Sequence, residues 1–147
     1  MRVVVQRVSE AAVEVDGEVV GQIGQGLLIL VGFCGGDDQT ALEWMSQKLL
    51  GLRLFEDEQE KMNLSLQDVA GELLLVPQFT LYGDCRKGRR PSFTEAMQPD
   101  QASLLFDRFC ELFSAAGLPP QRGVFGAHMK VSLLNDGPVT VIIDTPQ

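Results

Sequence analysis

Residues 130–144 read KVSLLNDGPVTVIID. Two apolar runs, KVSLL and VTVIID, flank the polar stretch Asn135-Asp136-Gly137-Pro138. An Asp-Gly pair between alternating hydrophobic residues is a strong hairpin signal. The proline complicates it, because Pro138 has no N–H to give a sheet ladder and restricts Gly137 before it. The segment is therefore expected to be two terminal strands, AHMKVSLL and VTVIID, joined by a turn with an unusual Gly-Pro peptide.

Upstream of it lies the plainest helix of the chain, Pro99 to Ala116. Ala102, Leu105, Phe106, Phe109, Leu112, Phe113 and Ala116 fall on one apolar stripe at 3.6-residue spacing. GLPPQRG ends it. A second helix is expected from a cap at Asp37 or Asp38 through about Leu50, with Leu42, Met45 and Leu49 inward. The remainder is strand-like. MRVVVQRV and AAVEVD are valine-rich, VDGEVVGQI carries a hairpin turn at Asp16-Gly17, and GLLILVGF reads as a strand buried on both faces. EDEQEKMN reads as a charged surface loop. GELLLVPQFTL resumes strand character, with Pro77 interrupting it and Gln78 and Thr80 on one face by the period-two rule. Seven or eight strands and two long helices imply a mixed α+β fold with layered sheets. The helices pack on one sheet, and a second sheet or a partner chain covers the other face. No repeat, linker or low-complexity tract divides residues 1–147, which are expected to form a single domain.

The composition narrows function by exclusion. Hydrophobic residues are 45% and charged residues 22%, an ordinary soluble mixture. No apolar run reaches the roughly 18 residues of a membrane span. The N-terminus becomes polar too early for a signal peptide, so the cytoplasm is the expected compartment. Cys34, Cys85 and Cys110 are widely spaced and read as ordinary thiols. A formal net charge of −8 argues against a general nucleic-acid coat. One segment, CRKGRR, is locally basic and holds Arg86, Lys87, Arg89 and Arg90, four of the chain's 12 Lys and Arg residues. It reads either as a solvated exposed loop or as a phosphate contact. The glycines of GQIGQG lack dinucleotide-binding spacing, and the phosphate-loop motif is missing. His128 is the only histidine, so a His-rich metal site is excluded. A Ser-His-Asp triad could run only through this residue, which reads more readily as structural or surface.

Two oddities remain, VPQFTL and NDGPVT. In this order VPQFTLYGDCRKGRRPSF and FGAHMKVSLLNDGPVTVIID resemble the D-aminoacyl-tRNA deacylases, and MRVVVQRVSEAAVEVDGEVVGQIGQGLLILVGF is similar to that family's N-terminal strands. The resemblance spans essentially the whole chain. It implies a homodimer that hydrolyses the ester between a D-amino acid and the 3′-terminal adenosine of tRNA, and that also removes mischarged glycine. It implies that Gln78-Phe79-Thr80-Leu81 lines the active site. A cis Gly137-Pro138 unit would reach from one subunit into the site of the other. Two carbonyl oxygens side by side there would admit a D-side chain or hydrogen and collide with an L-side chain, a specificity by clash. Gly137 would tolerate no Cβ, and Asn135 and Thr140 would hold the loop. No metal or cofactor is implied, and no membrane.

Two mechanisms are open under that resemblance. Thr80 could be a nucleophile, but neither motif supplies a base to activate it. Alternatively, backbone N–H groups near Phe79 and Thr80 stabilise an oxyanion while the substrate's 2′-hydroxyl assists water; the family favours this scheme. One residue departs from the family pattern. Pro77 stands where serine is usual, removing a hydroxyl and an N–H. It opens two alternatives, an editor of relaxed chirality and a tRNA-binding module with little turnover.

Overall fold

The structure is a computed structural model describing residues 1–146. Strand β1 (Arg2–Val15) turns at Asp16 and Gly17, with φ of +51° and +80°, into β2 (Glu18–Ile23). A two-residue hairpin loop needs positive φ at both positions, which Asp-Gly supplies. β3 (Gly26–Gly32) follows, then helix α1 (Gln39–Gly51). Asp38 is its N-cap, its carboxylate accepting the Ala41 N–H at 3.2 Å. The charged segment expected as a loop contains a small hairpin, β4 (Phe55–Glu56) and β5 (Met62–Leu64). β6 (Glu72–Pro77), a 3₁₀ turn (Phe79–Tyr82), α2 (Pro99–Ala115), β7 (Gln121–Arg122) and β8 (Lys130–Asp144) complete the chain.

The sheet order is β2-β1-β3-β6-β7, with β8 on the other edge of β1. β3, β6 and β7 run parallel to one another, whereas β1 is antiparallel to β2, β3 and β8. Alternation along each strand sorts side chains into two cores. Val3, Val5, Leu27, Ile29, Leu73 and Leu75 face the helices and meet Leu42, Met45 and Leu49 of α1 and Phe106, Phe109 and Phe113 of α2. Burying each large apolar side chain contributes about 1.5–3 kcal/mol. Val8, Val13, Leu28, Leu74 and Val76 form the second core, closed by Ile23 and the half-buried Met129 and Val131. The sheet's own curled ends therefore cover its second face. At Gly21 a Cβ would lie 3.0 Å from the Arg122 carbonyl oxygen, so glycine lets β2 lie close against β7.

Two local readings are corrected. The segment 130–144 is not a hairpin: both halves pair with β1, from Lys130 opposite Glu14 to Asp144 opposite Arg2. Residues 136–139 bulge out between Asn135, opposite Val8, and Thr140, opposite Gln6. The long antiparallel partner on one side outweighs the local turn signal, because each half gains a full ladder there. Strand β6 also stops at Pro77 instead of running to Leu81. The Gln78 N–H donates to the Val31 carbonyl at 2.7 Å, so the missing N–H of Pro77 faces the opposite flank. There β7 pairs only Leu74 and Leu75. Proline is tolerated there because it stands at the end of the β6–β7 ladder, whose last bond runs from the Gly123 N–H to the Leu75 carbonyl at 2.8 Å.

Candidate active site

Beyond Pro77 the chain turns sharply. Leu81 donates its N–H to the Gln78 carbonyl at 3.2 Å, and Gly83 donates to the Thr80 carbonyl at 2.9 Å. The turn lies against β3 at Gly32, where a Cβ would be 3.1 Å from both the Gln78 oxygen and Leu81 Cβ. Arg2 braces it from the other side, Nη1 donating to the Leu81 carbonyl at 3.1 Å. The first N–H groups of a helical turn have no partner inside it. Among the described residues, nothing accepts from the Phe79 or Thr80 N–H. Two preorganised donors thus stand side by side.

Beside this turn is a cavity of about 310 Å³ lined by Phe33, Pro77, Gln78, Phe79, Phe93 and Phe125 among others. Phe79 is 55% exposed and meets Phe93 edge-to-face, centroids 5.2 Å apart. An exposed aromatic pair over an apolar cavity suits a flat heterocycle. The side chains of Gln78 and Thr80 do meet, though through the turn and not through strand alternation: Gln78 Nε2 donates to Thr80 Oγ1. Among the described residues no histidine, lysine or carboxylate is hydrogen-bonded to that hydroxyl. The nearby Tyr82 hydroxyl has its pKa raised, first by burial and then by hydrogen bonding with Cys34, which removes it as a base at neutral pH.

The basic loop is tied at its base, Asp84 and Ser92 exchanging backbone hydrogen bonds of 2.7 and 2.9 Å. Arg86 folds back on Asp84, Nη2 to Oδ2 at 2.8 Å. The guanidinium and the Arg86 backbone N–H hold the Asp84 carboxyl down at about 2. Lys87, Arg89 and Arg90 are exposed and make no ion pair among the described residues. Phe93, which lines the cavity, follows this loop in the chain.

The Gly137-Pro138 peptide is cis, and the bulge that carries it is held at several points. Asn135 Nδ2 donates to the Arg7 carbonyl at 2.9 Å and the Val139 carbonyl at 3.0 Å, spanning the loop. Thr140 Oγ1 donates to Asn135 Oδ1 at 3.5 Å and accepts from Gln6 Nε2 at 3.3 Å. Arg7, only 5% exposed, donates from Nε to the Asp136 carbonyl at 3.1 Å. Gly137 has φ +128°, and a Cβ on it would be 2.8 Å from both Arg7 Nη2 and Val139 Cγ2. Within this chain the added atom strikes the loop's own support.

Arg7 was not singled out from the sequence, although a signal exists: alternation from Val3 and Val5 carries a cation onto the buried face. The two motifs do not meet within one chain. Pro77 is in register with Val31 and so with Val3, whereas the bulge sits beside Gln6 and Val8, across β1, β3 and β6. Strand spacing and rise put them on the order of 20 Å apart along the sheet. His128 is exposed, outside both groups. Among the described residues no cluster of His, Cys, Asp or Glu is arranged to hold a metal, and no helix is long and apolar enough to cross a membrane.

Comparison with known proteins places this arrangement. The chain is 58% identical over 147 residues to a D-aminoacyl-tRNA deacylase of Thermomicrobium roseum, covering 100% of this chain and 96% of that protein. It is 57% identical over 145 residues to the D-aminoacyl-tRNA deacylase of Clostridium perfringens, covering 99% and 97%. A solved structure described as c-Myc DNA Unwinding Element Binding Protein superposes with a TM-score of 0.94 at 41% identity, both chains covered in full. A probable eukaryotic D-amino acid tRNA deacylase shares the fold, with a TM-score of 0.82 at 23% identity over 97% of each chain. The sequence profile of the D-Tyr-tRNA(Tyr) deacylase family matches residues 4–144, and the chain belongs to that family.

Proposed function

We propose that this protein hydrolyses the ester of D-aminoacyl-tRNA, and of tRNA mischarged with glycine, to free tRNA and amino acid, and that it spares L-aminoacyl-tRNA. The observation that carries this reading is the Phe79–Thr80 turn, with two unclaimed N–H groups, beside an aromatic cavity that Phe79 lines. The cavity receives the terminal adenosine, Phe79 and Phe93 offering faces and edges for stacking. The ester carbonyl then lies against the two N–H groups, which stabilise the negative charge that develops when water adds. The carbon–oxygen bond to the ribose breaks, and the 3′-oxygen leaves with a proton. No base contacts Thr80, so the substrate's own 2′-hydroxyl assists the water, and Thr80 orients Gln78.

Chiral selection comes from a second copy of the chain. The Gly137-Pro138 loop lies too far from its own chain's turn to line that cavity. β8 pairs only with β1, which leaves its outer edge free. That strand exposes Leu134 and Ile142 along its length. A homodimer through these apolar edges covers them and carries the loop to the partner's turn. Lys87, Arg89 and Arg90 meet acceptor-stem phosphates. The Asn135-Asp136-Gly137-Pro138-Val139-Thr140 motif keeps the standard deacylase form, which supports the chirally strict reading over the relaxed one that Pro77 opens.

Purified protein offered D-Tyr-tRNA, L-Tyr-tRNA and Gly-tRNA should release D-tyrosine and glycine and leave the L-ester intact. Hydrolysis of the L-ester as fast as the D-ester would install the relaxed editor instead. Binding of all three without turnover would leave a tRNA-binding module.

A further inference from the structure

The Arg7 guanidinium faces two segments far apart in sequence. On one side are the Asp136 carbonyl at 3.1 Å from Nε and the Asp136 carboxylate at 3.7 Å. On the other is the start of the β4–β5 hairpin: Nη1 donates to the Leu54 carbonyl at 2.7 Å, and Nη2 lies 3.8 Å from Glu56 Oε1. Gly137 lies over the same Nη2, close enough that a Cβ would clash with it. A cleft of about 220 Å³ opens between hairpin and loop, lined by Arg7, Gln25, Phe55, Glu56, Val69 and Asp136. Phe55, 3% exposed, anchors the hairpin in the helix-side core.

A buried cation has to be compensated. Its two carboxylate neighbours compete along one edge of the guanidinium, Asp136 at Nε and Glu56 at Nη2, both about half exposed and beyond hydrogen-bond distance. The guanidinium's position is therefore a balance between the hairpin and the loop, and the loop rests on it. We propose that Glu56 is a positioning residue for substrate selection: with the Leu54 carbonyl it holds Arg7 back from Asp136, and so sets where the Gly137-Pro138 carbonyls point. Other charges near this contact belong to Arg7 and Asp136 themselves; Asp57 beside it is occupied by the Gln59 and Lys61 N–H groups. The inference rests on the reading of the loop as the chiral discriminator. Glu56 touches no substrate, and its carboxylate points into the cleft beside Arg7.

The test is the ratio of single-turnover rates on L-Tyr-tRNA and D-Tyr-tRNA for wild type, Glu56→Gln and Glu56→Lys, with melting temperature measured alongside. Losing the charge should raise the L/D ratio about threefold, the scale of a part-exposed ion pair. Reversing it, which pushes Arg7 toward Asp136, should raise the ratio about tenfold. The melting temperature of Glu56→Gln should stay unchanged. A ratio within twofold of wild type for both variants overturns the proposal. So does a parallel fall of D and L rates, which would mark a purely structural contact. If wild type does not deacylate D-Tyr-tRNA at all, the functional reading fails first, and the arms are told apart by that control.

Discussion

At the scale of single residues, the chemistry turns on which atoms of the Gln78–Thr80 turn act. In the proposed mechanism the backbone donors carry the oxyanion and the Thr80 hydroxyl only meets Gln78. Thr80→Ala should therefore keep single-turnover deacylation of D-Tyr-tRNA within about tenfold of wild type, and Thr80→Pro, which deletes one donor, should lose about 10²–10³-fold. A collapse in the alanine variant with folding and binding intact would make the hydroxyl a nucleophile. Gly137 is the second decisive residue. With φ +128° and a Cβ position 2.8 Å from Arg7 Nη2, Gly137→Val should cost about 1–3 kcal/mol of stability, read by denaturant unfolding. The motif residues themselves were legible as oddities, a proline inside a strand pattern and a proline after a hairpin signal. Arg7 was not, since its partners at Leu54 and Asp136 are 47 and 129 residues away, beyond any local pattern.

At the scale of elements, local chemistry fixed the helices and the first hairpin well. The Asp38 cap, the apolar stripe of α2 and the Asp16-Gly17 turn each act within one turn of chain, so sequence alone discloses them. The strands at 72–81 and 130–144 did not obey their local signals. Loss of a partner strand ended the first at Pro77, and one long partner, β1, claimed both halves of the second. The N-cap is open to test: Asp38→Ala should destabilise the protein by about 1 kcal/mol, again by denaturant unfolding. The basic loop carries a pH expectation. The Asp84 carboxyl is held down at about 2, mainly by Arg86, below the ordinary value near 4. A depressed carboxyl contributes its stabilising contact above the ordinary pKa and loses it as pH falls through the lowered one. The Asp84–Arg86 pair should thus persist at pH 4 and open toward pH 2, as a carboxylate NMR titration would follow. Neutralising Lys87, Arg89 and Arg90 together should weaken tRNA binding and flatten its salt dependence by about two units of slope; an unchanged slope would make them plain solvated residues.

At the scale of the whole molecule, two motifs on opposite flanks of one sheet acquire a joint purpose only if two copies meet. In the proposed dimer the free edge of β8 and the exposed Leu134 and Ile142 would give the surface, and the separation of the motifs the reason. The most direct measurement is subunit mixing. Copies carrying Gly137→Val are combined with copies carrying Thr80→Pro, each inactive or unselective alone, and D-Tyr-tRNA deacylation is followed with L-Tyr-tRNA as the control. In a mixed pair one site receives an intact turn from the first copy and an intact loop from the second. Random exchange should then restore selective activity in about a quarter of the sites. If mixed pairs form, by mass, and selective activity stays at the level of the separate variants, the site is not built across two copies and the account is wrong.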